Sequence, residues 1–308
     1  MAIIQVNKKA TLTGHKDSIY ALCHSQYNNI FFSGGADGLV VLWDLKNPEN
    51  GELIAQVPNS VYALHYDLER DQLIIGHNYE GIHVVNWQEK KEIGSLKFTS
   101  KAVFDIKIHG NEIIAGTGDG EMVIVDSNKL IVKQRIKNSD SSLRCLAINE
   151  QTQEIAAGYS DNLIRVFQLS DYSIKREWKA HDNSVFGLDY SIDHKTLIST
   201  GRDARFKAWN VIDNYSLVEP VIGHMYTINC IRYSPDGKHF VTCSMDKTLK
   251  VWDSATYKLL KVIDKARHAG HGTSVNKVLW SSFNDQIISC SDDRTISVWD
   301  LSFNNQKF

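Results

Sequence analysis

Residues 223–253 read GHMYTINCIRYSPDGKHFVTCSMDKTLKVWD, and four polar or aromatic residues of this stretch recur at fixed spacing along the chain. His224 and Trp252 are 28 positions apart, Thr242 lies ten positions before the Trp, and Asp246 lies six before it. The same pattern, with Ser in place of Thr, occurs three more times: His15, Ser33, Asp37, Trp43; His181, Ser199, Asp203, Trp209; and His271, Ser289, Asp293, Trp299. Such self-similarity indicates a chain built from structural repeats.

The acidic position of the pattern can be followed through weaker repeats between the strong ones. It falls at Asp37, Glu80, Asp119, Asp161, Asp203, Asp246 and Asp293, in steps of 43, 39, 42, 42, 43 and 47 residues. Repeats two to four depart from the pattern, with Asn86, Val125 and Phe167 at the Trp position and Val57 or Thr99 at the His position. We therefore count seven repeats. Three of them lack part of the pattern, and we expect their strands to be held together less tightly.

Each repeat also has the composition of short strands. In the first repeat, SIYALCHS (18–25), NIFFSGGA (29–36) and LVVLWDL (39–45) are rich in β-branched and aromatic residues and are separated by Asn, Gly and Asp turns. Helix-length amphipathic periodicity is absent. The last repeat stops after ISVWDLSF (296–303), whereas the chain begins with an unpaired strand pattern, IIQVNKKATLTGH (3–15).

With its Gly-His and Trp-Asp signatures, the chain resembles the WD-repeat family of β-propellers over essentially its whole length. The resemblance implies an all-β fold, a seven-bladed β-propeller of four-stranded antiparallel blades. We expect residues 1–308 to form one propeller domain, in which residues 1–13 supply the outer strand of blade seven. Closing the ring in this way hides sheet edges that would otherwise invite strand addition.

Ser33, His15 and Asp37 are also the residue types of a nucleophilic triad. Four copies of such a triad favour a structural role instead. An indole N–H can donate to the Ser or Thr hydroxyl, the hydroxyl to the His, and the other ring N–H of the His to the Asp. We therefore predict a buried hydrogen-bond relay in each of the four strong repeats.

Composition limits the remaining functions. The chain has 34 basic and 36 acidic side chains, which does not favour nucleic-acid binding. It has no apolar run long enough to span a bilayer and no secretion signal, and its five cysteines all lie in predicted strands, as buried small hydrophobes would: Cys23, Cys145, Cys230, Cys243 and Cys290. We expect a soluble, intracellular, cytoplasmic protein.

Two motifs suggest a ligand but have simpler explanations. His268 and His271 could form a metal pair, but the relay of blade seven uses His271, and a zinc site needs at least three ligands. The Gly116, Gly118 and Gly120 cluster resembles a phosphate loop but precedes a strand rather than a helix, so it is read as a tight turn. We predict neither a metal nor a cofactor.

The family resemblance directs attention to the face whose loops enter each innermost strand, where partner proteins commonly bind. One register, five residues after the repeat His, selects Tyr20, Tyr62, Phe104, Arg144, Phe186, Asn229 and Asn276. A second, immediately before the acidic residue, selects Ala36, Tyr79, Gly118, Ser160, Arg202, Met245 and Asp292. Aromatic residues, Met and Arg are enriched at the cores of protein interfaces. Packing between neighbouring blades is the alternative role for individual aromatics.

From the larger side chains of this set we predict a binding face that consists of Tyr20, Tyr62, Tyr79, Phe104, Arg144, Phe186, Arg202, Asn229, Met245, Asn276 and Asp292. A peptide across it would place an apolar group near the aromatics and an acidic group near the two arginines. The loop around Lys265, Arg267 and His268 either forms one wall of this face or is simply solvated.

The sequence thus predicts a non-catalytic scaffold that binds a peptide or a partner protein on its loop-rich top face, as a monomeric propeller or as a subunit of a larger complex. The alternative is a propeller hydrolase of the lactonase kind, with its site at the channel mouth. Such an enzyme needs a metal cluster or convergent catalytic side chains there, and the predicted rim offers Asp292, Arg144 and Arg202 without a His or a carboxylate pair.

Overall fold

The computed structural model of the chain describes residues 3–304. They form 28 strands in seven separate four-stranded antiparallel sheets arranged around a ring. The predicted seven-bladed propeller is confirmed, and so is its closure, because the first strand pairs with the last. One short helix, α1 (Lys265–His268), interrupts the strands.

The bounds of the first four blades, from the innermost strand outward, are as follows. Blade one contains β2 (Ile19–His24), β3 (Ile30–Gly35), β4 (Leu39–Asp44) and β5 (Glu52–Gln56). Blade two contains β6 (Val61–Asp67), β7 (Gln72–His77), β8 (Gly81–Asn86) and β9 (Lys91–Lys97). Blade three contains β10 (Val103–His109), β11 (Glu112–Thr117), β12 (Glu121–Asp126) and β13 (Ile131–Lys137). Blade four contains β14 (Leu143–Asn149), β15 (Glu154–Tyr159), β16 (Leu163–Gln168) and β17 (Ile174–Lys179).

The remaining three blades complete the ring. Blade five contains β18 (Val185–Tyr190), β19 (Thr196–Gly201), β20 (Arg205–Asn210) and β21 (Ser216–Ile222). Blade six contains β22 (Ile228–Tyr233), β23 (His239–Ser244), β24 (Leu249–Asp253) and β25 (Leu259–Ile263). Blade seven contains β26 (Val275–Trp280), β27 (Gln286–Ser291), β28 (Ile296–Asn304) and, as its outer strand, β1 (Ile3–Leu12).

The apolar core lies between neighbouring blades. Phe206 of blade five packs against Phe240 and Trp252 of blade six, with ring centroids 5.2 and 4.9 Å apart. Inner strands approach so closely that a Cβ on Gly34 would lie 2.5 Å from the Val61 side chain of the next blade. All five cysteines are free, and four of them are buried, as predicted for small core residues; Cys23 is half-buried.

Hydrogen-bond relays link the strands of blades one, five, six and seven to their top loops. In blade six, Trp252 Nε1 donates to Thr242 Oγ1 at 2.9 Å, and His224 lies 2.8 Å from that hydroxyl and 2.9 Å from Asp246. The equivalent distances in the other three relays lie between 2.8 and 3.2 Å. Every member has a partner, so the buried polar groups are satisfied.

In blade two, the strand pairing shows that one part of the repeat alignment made from the sequence is wrong. Strand pairing matches Gly76 with Ile82, just as it matches Gly34 with Val40 in blade one. The residue equivalent to Asp37 is therefore Tyr79, and Glu80 is one position too far along. By the same pairing, Val85 rather than Asn86 occupies the Trp position. Glu80 is the acidic residue nearest to the expected position, but the position of a residue in the blade is set by the strand pairs.

The blades without a complete relay use other polar contacts at the same turn. In blade four, Ser139 Oγ donates to Asp161 at 2.7 Å, and Arg165 pairs with the same carboxylate at 2.9 Å. In blade three, the Thr117 hydroxyl donates to Asp119. These blades form complete four-stranded sheets like the others.

Candidate functional site

The top face is the end of the propeller at which each innermost strand begins. The seven residues of the first predicted register all line one cavity of about 180 Å³ at its centre, together with Lys277. All seven are half-buried. The members of this cavity, called the mouth below, are Tyr20, Tyr62, Phe104, Arg144, Phe186, Asn229, Asn276 and Lys277.

A β-bulge explains why these positions point inward. In every blade, the pairing between the two innermost strands skips one residue near the start of the inner strand, for example between Ile19 and Ala21. The skipped residue is the mouth residue of that blade. A bulge leaves its extra residue outside the ladder and redirects its side chain, so the mouth is a consequence of a backbone feature repeated seven times.

The aromatic residues of the mouth, joined by Arg144 of blade four, form a continuous band over blades one to five. Tyr20 and Tyr62 stack with centroids 4.9 Å apart, and Tyr62 meets Phe104 edge-on at 5.5 Å. The Arg144 guanidinium lies 4.2 Å from the Phe104 centroid and 5.5 Å from that of Phe186. Each cation–π contact of this kind is worth roughly 0.5–2 kcal/mol, which holds the guanidinium in place over the mouth.

Arg144 is a partly buried cation without an acidic partner. Its Nε donates to Ser160 Oγ at 2.9 Å, and within residues 3–304 no carboxylate forms an ion pair with it. Burial, with the charge of Arg202 as a smaller contribution, lowers the pKa of the guanidinium. Because the ordinary pKa of arginine is above about 12, the group stays charged at neutral pH. The mouth therefore has positive charge available for a ligand.

The amide side chains of blades six and seven are occupied by contacts between blades. Asn229 Nδ2 donates to Val275 O at 2.8 Å. Asn276 Nδ2 donates to Ile19 O at 2.9 Å and to Asp292 Oδ1 at 2.8 Å. These side chains fix neighbouring blades, and their donors are used within the protein.

The second register lies on the turns around the mouth. Tyr79, Arg202, Met245 and Asp292 are exposed, while Ala36, Gly118 and Ser160 are half-buried. Given the corrected alignment of blade two, the residue equivalent to Ala36 is Asn78, and Tyr79 is its neighbour in the same turn. Tyr79 has φ 74°, a backbone conformation that is uncommon for a bulky residue and that turns its side chain, 56% exposed, into solvent.

Sequence reasoning missed an exposed apolar pair beside Met245. Met225 and Tyr226 are 80% and 58% exposed, and their loop is joined to the Met245 turn by the hydrogen bond from Met245 N to Thr227 O. The signal was present in the sequence, because Met225 and Tyr226 directly follow the repeat His, where blade one has Lys16 and Asp17. Met225, Tyr226 and Met245 are called the apolar loop cluster below.

The loop before blade seven folds locally. Asp264 caps α1 by accepting a hydrogen bond from Arg267 N at 2.8 Å, and its carboxylate also pairs with the Arg267 guanidinium at 2.7 Å. His268 Nδ1 lies 3.9 Å from the same carboxylate. The Arg267 guanidinium is therefore already paired with a carboxylate, whereas the Arg144 guanidinium has no such partner among the described residues.

The lining of the mouth limits its chemistry. Among the described residues, those that line it include one Arg and one Lys but neither a His nor a carboxylate. Hydrolytic catalysis at this point would need a nucleophile–base pair or a metal.

Comparison with known protein families matches the family described as "WD domain, G-beta repeat" at residues 6–44, 172–210, 216–253 and 263–300, which together make up half of the chain. The chain belongs to this family of WD-repeat propellers. The four matched segments contain the four relays, whereas blades two to four carry the divergent repeats.

Curated relatives match parts of the chain. "Nuclear distribution protein nudF 1" of Talaromyces marneffei is 26% identical over 137 residues, covering 44% of this chain and 30% of that protein. "Actin-interacting protein 1" of Caenorhabditis elegans is 23% identical over 272 residues, covering 83% of this chain and 42% of that protein. The chain therefore spans well under half the length of these relatives.

Among solved structures, the "WD40 beta propeller domain of Doa1" superposes with a TM-score of 0.84 at 19% identity, over 98% of this chain and 97% of that one. At this identity the likeness concerns the fold alone. No helix within residues 3–304 has the length and apolar character needed to cross a membrane.

Proposed function

We propose that this propeller is a non-catalytic scaffold that binds a peptide or a partner protein on its top face. The observation that carries the proposal is the mouth itself, where seven bulge residues converge on one cavity. They include four aromatic side chains and an arginine that has no acidic partner within residues 3–304. Membership of the WD-repeat family and the presence of interaction proteins such as "Actin-interacting protein 1" among the relatives also support a scaffold role.

The mouth suits a ligand with a carboxylate next to an apolar or aromatic group. The carboxylate would pair with Arg144 and with the exposed Arg202, replacing water around two cations that form no ion pair within residues 3–304. The adjacent aromatic group would pack on the band of Tyr62 and Phe104. Charge-assisted hydrogen bonds at such a site fix the orientation of the ligand.

The apolar loop cluster extends this surface outward over blade six. Two Met side chains and a Tyr, all more than half exposed, are unfavourable in water and are typical of interfaces that adapt to their partner. A folded partner could therefore contact the mouth and the apolar loop cluster together. Five free cysteines suit a reducing compartment, which supports an intracellular site of action.

The test is a pull-down from native lysate with the wild-type chain and with the double variant Phe104→Glu, Phe186→Glu. Both residues are half-buried at the mouth, so two carboxylates there disrupt its charge and its apolar surface. The matched control introduces the same charges on outer strands at Ile131 and Ile174, which are 51% and 47% exposed. Each variant is first checked for wild-type circular dichroism and thermal unfolding.

We expect proteins that are captured by the wild type and by the outer-strand control but lost with the mouth variant. Identical captures by all three chains would contradict a top-face site. Capture that is lost only with the outer-strand control would move the binding surface to the rim of the ring.

A further inference from the structure

Blade two contains a cluster of ligating side chains at the position where blades one, five, six and seven have their His–Asp pair. In blade one, a Cβ on Gly35 would lie 2.7 Å from Asp37 Oδ1 and 2.9 Å from His15 Nδ1, so a side chain has no room there. Gly201 of blade five is restricted in the same way by His181 and Asp203. The residue of blade two in this position is His77.

The imidazole of His77 has room at this position because blade two lacks both the His and the Asp of the pair. Its entry loop, residues 57–60, reads VPNS without a His, and Tyr79 replaces the Asp. The side chain of His77 fills the vacated space and is completely buried. A buried imidazole needs a partner for its nitrogens, and blade two supplies one of an unusual kind.

That partner is a second imidazole. His77 Nε2 and His83 Nε2 lie 2.9 Å apart, and the two rings have centroids 4.8 Å apart. Glu80 lies in the turn between their strands, so that one nitrogen of each imidazole and one Glu80 carboxylate oxygen all lie within 4.8 Å of one another. Three potential ligands within one seven-residue segment, residues 77–83, thus converge on one point.

The donor set is one that transition metals use, and its two imidazole nitrogens already lie close to the spacing that a metal imposes. Two His and one Glu form a known three-ligand set for zinc, and metal–nitrogen bonds of about 2.0–2.1 Å at tetrahedral angles place the two nitrogens about 3.3 Å apart. The observed 2.9 Å needs only a small opening. His83 Nδ1 also lies 3.3 Å from Glu92 Oε2, the carboxylate contact that commonly orients a metal-bound imidazole from its far side.

We propose that His77, Glu80 and His83 bind a divalent transition-metal ion, for which zinc is the best match, and leave a fourth coordination position for water or for a donor atom of a bound molecule. The side chain of His83 remains 15% exposed and Glu80 is half-buried, so an ion reaches the site from solvent. The site lies beside the exposed Tyr79, on the top face but apart from the residues that line the mouth.

A metal-free explanation exists and makes a different prediction. One Nε2–H can donate to the other Nε2 as an ordinary hydrogen bond between two neutral imidazoles. In that case zinc would bind no more tightly to this protein than to any surface with scattered histidines. The two accounts therefore differ in zinc affinity and in which residues control it.

The experiment titrates the full chain, freed of metal by chelation, with zinc in competition with a chromophoric chelator. The variants are His83→Gln and Glu80→Gln, which each remove one ligand at a partly exposed position and keep a polar side chain there. The matched control is His109→Gln, since His109 pairs with Glu150 at 3.6 Å but belongs to no cluster of three potential ligands among the described residues. Cobalt(II) absorption provides a second readout, because it reports the coordination geometry directly.

We expect one tightly bound zinc per wild-type chain and unchanged binding by His109→Gln. Each ligand variant should weaken binding by at least about tenfold, and Glu92→Gln should have a smaller effect, given the usual consequences of altering a metal's surroundings. Absence of a tight site in the wild type, or retention of it by the His83→Gln, Glu80→Gln double variant with an intact circular dichroism spectrum, would overturn the proposal.

Discussion

Removing the Asp246 carboxylate tests the idea that the relays stabilise the ring. Asp246 accepts four hydrogen bonds, from His224 Nδ1 at 2.9 Å, Met225 N at 3.1 Å, Thr248 N at 3.0 Å and Thr248 Oγ1 at 2.7 Å. In Asp246→Ala, water can replace the carboxylate at the exposed loop N–H of Met225. The largest loss is therefore at His224, whose side chain is fully buried.

A buried donor that loses its partner costs about 1–3 kcal/mol. Thr248 Oγ1, which lies 3.2 Å from His224 Nδ1, recovers part of this loss, so we expect a destabilisation of about 2 kcal/mol. For 308 residues, with an unfolding entropy of about 2.1 cal/mol/K per residue, this corresponds to a fall in Tm of about 3 °C.

Differential scanning calorimetry of the wild type, Asp246→Ala and Asp119→Ala measures the effect. Asp119 occupies the same position in blade three, where it accepts a hydrogen bond from Thr117 and no His takes part. We expect its removal to cost less than half as much. Equal shifts for the two variants would refute the relay as a source of stability and would reduce Asp246 to an ordinary turn residue.

Three further predictions concern closure, charge and pH. Deleting residues 1–12 removes β1, with its buried Leu12, and should lower Tm sharply; an unchanged melt would contradict closure through the pairing of β1 with β28. The double variant Arg144→Glu, Arg202→Glu should abolish binding of an acidic peptide in fluorescence anisotropy, and retained binding would exclude the two arginines as its anchor. Burial opposes ionisation of Asp203, but its hydrogen bond to His181, the charge of that ring and two backbone N–H groups outweigh burial and lower the pKa to about 2. Since an unfolded Asp has a pKa of about 3.9, this group stabilises the fold above about pH 4 and loses that effect as the pH falls toward 2, so Asp203→Asn should lose less stability than the wild type on acidification.

The fold was predictable because its determinants are local and repeated. The 28-residue interval between His and Trp fixes the strands and loops of one blade, and the relay it predicts has the expected hydrogen bonds in blades one, five, six and seven. The first register was equally informative, because the bulge falls at the same point of every inner strand.

The features that could not be predicted from the sequence depend on strand register and on contacts between loops. The acidic position of blade two was misplaced by one residue, because Tyr79 occupies it and Glu80 is merely the nearest acid. The use of Asn276 between blades seven and one requires contact with a carbonyl 257 residues away. The cluster of His77 and His83 was not anticipated, since it forms only where the relay is missing.

Photo-crosslinking can show whether partners bind at the mouth. A photoreactive amino acid is placed at position 186 in the mouth and, as a control, at position 68, which follows the opposite end of an inner strand and is 67% exposed in the wild type. Captured partners should crosslink from position 186 and not from position 68. Crosslinks from position 68 alone would place the binding surface on the opposite face and contradict the account.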